Sequence, residues 1–175
     1  MSTEPSAVEE RLQRTMQDYL QVVTFRLDQE EYAIEITSVK EIILVEGVTR
    51  VPQMPSWVEG IINLRGNVIP VLDLRKRFGL PIVELGEHGR IVVARQESRI
   101  IGLIVDAVSQ VMKLPRSDIQ DPPDTIAGLA GDYLVGIAKV DKRLLMVLDI
   151  ERILSTDEQT DLAKPLGDLP EQQGA

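Results

Sequence analysis

One histidine, no cysteine and a scatter of carboxylates are all that this sequence offers for chemistry. His88 lies in Glu87-His88-Gly89, a polar stretch that reads as a surface turn. Without cysteine there are no disulfides, thiolate metal sites or thiol nucleophiles, and a lone histidine cannot build the usual structural zinc site. No glycine-rich phosphate loop, dinucleotide fingerprint or nucleophile elbow occurs. The best-placed carboxylates are Asp73 and Asp149. Each follows an apolar run and opens a short helical pattern, Asp73-Leu74-Arg75-Lys76-Arg77-Phe78 and Asp149-Ile150-Glu151-Arg152-Ile153-Leu154. An N-cap accounts for aspartate there, because its side chain accepts the first free helical N–H groups. Asp106 precedes a similar segment and takes the same reading. The chain is expected to be no enzyme, to need no cofactor or metal, and to act by binding.

The residues of most interest are those that one half of the chain has and the other lacks. A shift of 69 residues lays Gln21–Arg26 on Arg90–Arg95, Tyr32–Ile36 on Ile101–Val105, Val39 on Val108 and Ile42 on Val111. A shift of 76 lays Gly60–Leu64 on Gly136–Val140, Val71–Leu74 on Val147–Ile150 and Phe78 on Leu154. Neither block needs a gap, which describes two similar small units better than a solenoid repeat. Residues shared by both copies serve the fold. Glu41 falls on Gln110 and Arg65 on Asp141, so the first half owns an acid–base couple that the second lacks.

The elements that must position this couple are mostly strands. The segment from Val22 to Leu27 alternates only partly, as a strand buried on both faces does. Asp28-Gln29-Glu30-Glu31 is a polar turn. Ile61–Leu64 and Val68–Leu72 flank Arg65-Gly66-Asn67, a hairpin signal. Pro70, inside its strand, predicts an edge or a bulge. Thr37–Ile42 is expected to form a short helix turning Val39 and Ile42 inward, with Glu41 near its end. The proline-rich stretches Val51–Pro55 and Leu114–Asp124 read as ordered turns, the longer one exposed. Val8, Leu12 and Met16 mark a marginal helix in an N-terminal segment, residues 1–18, expected to be otherwise flexible. The body is expected at 19–155, with a first half of about 19–80 and a second of about 89–155, before a flexible tail at 156–175.

Composition narrows the function further. The net charge of −9 repels phosphate backbones, and only 3% of residues are aromatic, so nucleic-acid binding lacks both its basic groove and its stacking platforms. Residues 1–18 carry −2 and residues 155–175 carry −4, which leaves −3 on the body and concentrates acidity in the ends. No apolar run approaches a membrane span, and the polar, acidic first residues are unlike a signal peptide. A cytoplasmic protein is expected, with any membrane association borrowed from a partner.

The stretches Glu31-Tyr32-Ala33-Ile34-Glu35-Ile36, Val39-Lys40-Glu41-Ile42, Pro55-Ser56-Trp57-Val58-Glu59-Gly60-Ile61-Ile62-Asn63-Leu64-Arg65-Gly66, Val68-Ile69-Pro70-Val71-Leu72-Asp73-Leu74-Arg75 and Ile101–Val111 resemble the CheW family over about residues 19–154. The resemblance implies a mainly all-β fold of two similar five-stranded SH3-like β-barrels with short helices and a shared apolar interface. It implies a chemotaxis adaptor that joins the cytoplasmic tips of methyl-accepting chemoreceptors to a CheA-type histidine kinase in a signalling array. By position it implies a receptor- and kinase-binding surface at Val39, Glu41, Gly60, Arg65 and Val111. It implies a cytoplasmic protein recruited to membrane-bound receptor clusters, without inserting into the membrane or binding nucleic acid. With no receiver or phosphotransfer segment readable, a stand-alone adaptor is expected. The alternative is a small-ligand or effector sensor on the same barrels. A sensor needs an enclosed polar pocket, whereas an adaptor needs exposed apolar patches rimmed by polar residues.

Overall fold

The chain enters its first strand directly from a helix. The computed structural model describes residues 6–123 and 133–153. Their order is α1 (Ala7–Asp18), β1 (Tyr19–Leu27), β2 (Glu30–Glu35), β3 (Val39–Leu44), β4 (Val58–Leu64), β5 (Asn67–Asp73), α2 (Leu74–Arg77), β6 (Arg90–Gln96), β7 (Arg99–Val105), β8 (Ala107–Pro115), β9 (Ile119–Gln120), β10 (Leu134–Val140) and β11 (Arg143–Leu148). Single 3₁₀ turns occupy Ile36–Ser38, Arg116–Asp118 and Ile150–Arg152. Helix α1 starts on a reciprocal cap that the spacing Ser6-x-x-Glu9 encodes. The Glu9 N–H donates to Ser6 Oγ at 3.1 Å, and the Ser6 N–H to Glu9 Oε2 at 3.3 Å.

Two sheets result, ordered β8-β1-β2-β11-β10-β9 and β3-β6-β7-β5-β4. The two sequence halves do not each make one sheet. The first hairpin, β1–β2, joins the last, β10–β11, and β6–β7 joins β4–β5. The chain crosses between sheets through Ile36–Ser38 and again at Asp106, residues that stand at matching points of the repeat.

The repeat survives this exchange residue by residue. β3 bulges against β6 between Val39 and Glu41, and β8 against β1 between Val108 and Gln110, which are the same positions shifted by 69. β4 bulges against β5 between Val58 and Gly60, and β10 against β11 between Leu134 and Gly136, shifted by 76. Left-handed backbone recurs at Asp28 and Glu97, and at Arg65 and Asp141. The Asp73 carboxylate caps α2 by accepting the Arg75 and Lys76 N–H groups, and Asp149 caps its 3₁₀ turn by accepting that of Glu151.

Three expectations about turns and strands need correction. Thr37–Ile42 is not a helix: a 3₁₀ turn ends at Ser38 and β3 follows, with Ile42 exposed. The Val39/Ile42 spacing fits a helical face, but the β-branched side chains pair with β6 instead. Pro70 is on neither an edge nor a bulged residue, since β5 is interior. It limits a ladder: β5 pairs with β7 only from Val71 onward, whereas in the other sheet the equivalent of Pro70, Met146, is paired with Tyr32. Proline has no N–H to give there. In the second proline-rich stretch, a 3₁₀ turn and β9 replace a plain turn. The first five residues and the tail beyond 153 lie outside the described residues.

The largest core cluster lies between the sheets. Phe25, Leu27, Tyr32 and Ile34 from one sheet meet Leu72, Val92, Ala94, Ile101, Leu103 and Val105 from the other. Each barrel also fills its own interior, with Leu20, Val22, Ala33, Leu114, Ala138, Leu145 and Val147 in one and Ile62, Ile69, Val71, Ile91, Val93 and Ile104 in the other. Burial of this apolar surface, worth roughly 25 cal/mol per Å², makes the barrels one unit.

Asp106 was expected to cap a helix, and no helix follows it. The Asp28 N–H donates to its Oδ2 at 2.8 Å, while Arg75 Nε and Nη2 donate to Oδ1 and Oδ2 at 2.8 and 2.6 Å. Burial raises the carboxyl pKa, but these bonds and the Arg75 charge outweigh it and hold the pKa below its ordinary value near 3.8. A depressed folded pKa gives stability that is complete above the unfolded value and lost as pH falls through the folded one. Asp106→Asn is expected to cost about 2 kcal/mol at neutral pH, the scale of hydrogen bonds to charged groups. In urea melts from neutral to acid pH, the gap from the parent should close below about pH 4. A gap independent of pH would contradict this account.

Candidate functional site

Arg65 owes its place to a tight turn. Arg65 and Gly66, at φ 53° and 86°, join β4 to β5, and the Asn63 side chain accepts the Gly66 N–H at 2.8 Å. Such a turn suits Asn, Asp or Gly, and left-handed backbone disfavours arginine. The equivalent turn has Asp141 at φ 56°, an inexpensive choice. Glu41 projects from β3 just past the bulge, and the two side chains meet. Arg65 Nη1 and Nη2 donate to Glu41 Oε2 and Oε1 at 2.5 and 3.0 Å. The Arg65 side chain is 72% exposed and that of Glu41 25%. Hydrogen bonds from Arg65 lower the Glu41 pKa, and the same bonds raise that of Arg65.

Strands β3 and β4 are opposite edges of the five-stranded sheet. The ion pair therefore reaches across the seam of that barrel, from one edge to the hairpin on the other. The sequence pattern anticipated the partnership but assigned Glu41 to a helix; a strand edge carries it.

The structure places the other three predicted residues at separate points of the two sheets, with Gly60 buried. Val39 begins β3 and packs partly against the central core. Gly60 sits at the β4 bulge beneath Thr49, which pairs with Ile61. Val111 lies on β8 in the other sheet and is 52% exposed. Four of the five thus belong to the β3–β4 barrel and one to its neighbour. Ile42 and Leu44 on β3, and Val68 just beyond the Arg65 turn, are exposed apolar side chains of the same barrel. An apolar surface set with a fixed ion pair can recognise a partner protein.

Sequence reasoning missed a second cluster. The Arg77 guanidinium lies 4.9 Å from the Trp57 ring centroid and 5.1 Å from that of Tyr133, and its Nε donates to Ile153 O at 2.8 Å. Trp57 and Tyr133 are repeat equivalents, and so are Arg77 and Ile153, so one cation bridges the two copies. The two aromatics at one repeat position were the available signal. Beside them is a cavity of about 350 Å³ lined mainly by Tyr32, Phe78, Leu80, Tyr133, Leu134 and Met146, with Arg77 among its polar neighbours.

His88 is 73% exposed with Glu87 at 3.5 Å. Among the described residues, no group of three or more potential metal ligands occurs, and no helix is long and apolar enough to cross a membrane.

Comparison with known proteins bears on this arrangement. A CheW-like domain model matches residues 21–158. The chemotaxis protein CheW of Treponema pallidum is 38% identical over 150 residues, covering 83% of this chain and 88% of its own length. That of Klebsiella aerogenes is 37% identical, covering 77% and 81%. The crystal structure of the scaffolding protein TtCheW from Thermoanaerobacter tengcongensis superposes with a TM-score of 0.74 at 33% identity, over 79% of this chain and 94% of the other.

Proposed function

Because the chain belongs to the CheW family and is a chemotaxis adaptor, we propose that it couples the cytoplasmic tips of membrane-bound chemoreceptors to a CheA-type histidine kinase. The observation that carries the reading at the level of residues is the Glu41–Arg65 ion pair at the surface of a barrel that also exposes Ile42, Leu44 and Val68. Val39, Gly60 and Val111 complete the proposed surface.

Such a protein works by occupancy. Holding two partners at once raises the effective concentration of each for the other, with no bond made or broken. Recruitment to receptor clusters follows from the receptor contact. The test is co-sedimentation with receptor-containing membranes, with and without the kinase. Pelleting with both supports coupling, and failure to pellet with either removes it.

Occupancy also predicts what should not matter. His88→Ala is expected to leave the melting temperature, assembly and kinase activation unchanged. A folded His88→Ala protein that assembles but no longer supports activation would show that occupancy alone is insufficient.

A further inference from the structure

A polar cluster centred on Arg75 lies away from the proposed surface. Arg75 is the second residue of α2, which follows β5 in the five-stranded sheet. Its Nε and Nη2 bind both oxygens of Asp106, its Nη1 donates to Pro81 O at 2.6 Å, and Asp28 Oδ1 lies 3.5 Å from Nη1. The Arg75 and Asp106 side chains are each only 12% exposed.

These partners belong to different bodies. Asp28 is in the β1–β2 turn of one sheet, Arg75 hangs from the other, and Asp106 is the one residue between β7 and β8 where the chain changes sheets. Asp106 also accepts the Asp28 N–H. One guanidinium therefore fastens the crossing point to both barrels. The second copy crosses the same boundary with a single bond and no ion pair: Glu151 stands where Arg75 does, and its Oε1 accepts the Glu97 N–H at 3.1 Å, joining the β6–β7 turn of one sheet to the 3₁₀ turn after β11 of the other.

The proposed surface straddles the same boundary. Strand β8, which carries Val111, starts at the crossing, while Val39, Glu41, Gly60 and Arg65 belong to the other barrel. The relative angle of the barrels thus fixes how Val111 sits with respect to the other four. We propose that Arg75 and Asp106 are positioning residues that lock the inter-barrel angle and thereby set the strength of receptor and kinase coupling. This rests on the adaptor reading for its second half only; the angle is a property of the isolated protein.

The natural absence of cysteine allows a direct test. Leu44→Cys and Lys113→Cys place spin labels on exposed, repeat-equivalent sites of β3 and β8. The label separation is measured by pulsed electron resonance in the full-length chain, in Arg75→Gln, and in Arg75→Gln/Asp106→Asn. The double variant leaves no buried charge unpaired, so it separates angle from stability. The expected result is a narrow distribution in the parent and a broader, shifted one in a folded double variant, with coupling weakened about tenfold, the scale of linked-site effects. An unchanged distribution overturns the lock whether or not the adaptor reading holds. A broadened distribution with unchanged coupling overturns the link to function. A double variant that does not fold makes the pair a stability element and overturns the positioning role.

Discussion

Arg65→Asn is expected to weaken assembly with receptor and kinase by at least about tenfold while the isolated protein melts no lower than its parent. The turn favours asparagine at this φ of 53°, so the substitution removes backbone strain as well as a side chain. Arginine there is a costly residue in an exposed place, and strain kept in that way points to a use for the side chain. The rival explanation is that the pair fastens the barrel seam between β3 and the β4–β5 hairpin. In that case Arg65→Asn lowers the melting temperature, and assembly falls only as far as unfolding explains. Glu41→Lys tests the other partner. It sets like charges 41 and 65 against each other and against any partner built to meet an acid–base pair, which should suppress binding. Both variants should be measured by thermal melting and by co-sedimentation. Normal assembly by both would remove the pair from the binding surface.

How much of this was legible beforehand depended on the range of the interaction. The duplication was readable because each strand buries one or both faces and so leaves its spacing of Val, Ile and Leu in the chain. The caps at Asp73 and Asp149 were readable for a similar reason, since donor and acceptor lie within three residues. The exchange of hairpins between sheets was not. A hairpin has the same internal pattern whichever neighbour it joins, and the parallel pairings β5–β7 and β2–β11 leave no local mark. Asp106 was misread because its partners, Asp28 and Arg75, are distant in sequence and a cap was the nearest local explanation. Glu41 and Arg65 were found through the asymmetry of the repeat, which reports where one copy does something the other does not. Gln96 shows the same asymmetry. It is buried at the position of Leu27, and its Nε2 donates to Ile150 O at 2.8 Å.

Gly60→Ala is expected to be the most damaging single methyl in the β3–β4 barrel, and it separates two explanations of that glycine. Gly60 was placed on the binding surface by family position, but its backbone has its own demand. A Cβ there would lie 2.1 Å from Thr49 O and 2.8 Å from Thr49 C. Thr49 cannot retreat cheaply, because it is pinned in both directions: its N–H donates to Ile61 O and its O accepts the Ile61 N–H, each at 2.8 Å. That bridge is the counterpart of β9 pairing with β10, where Gly136 lies under Gln120. Overpacking against fixed backbone costs about 1–3 kcal/mol, and loss of the bridge adds about 1 kcal/mol. For a protein of this size, that lowers the melting temperature by about 5–15 °C. Gly136→Ala should cost less, since its closest neighbour at 2.6 Å is the Ile119 side chain, though Gln120 O follows at 2.7 Å. The decisive comparison is assembly at a temperature where Gly60→Ala is still folded. If coupling there is normal, the glycine serves the bulge alone and the surface narrows to Val39, Glu41, Arg65 and Val111. If coupling is lost in the folded protein, the Thr49 loop that the methyl displaces is part of the contact. A variant as stable as its parent would refute the steric account altogether.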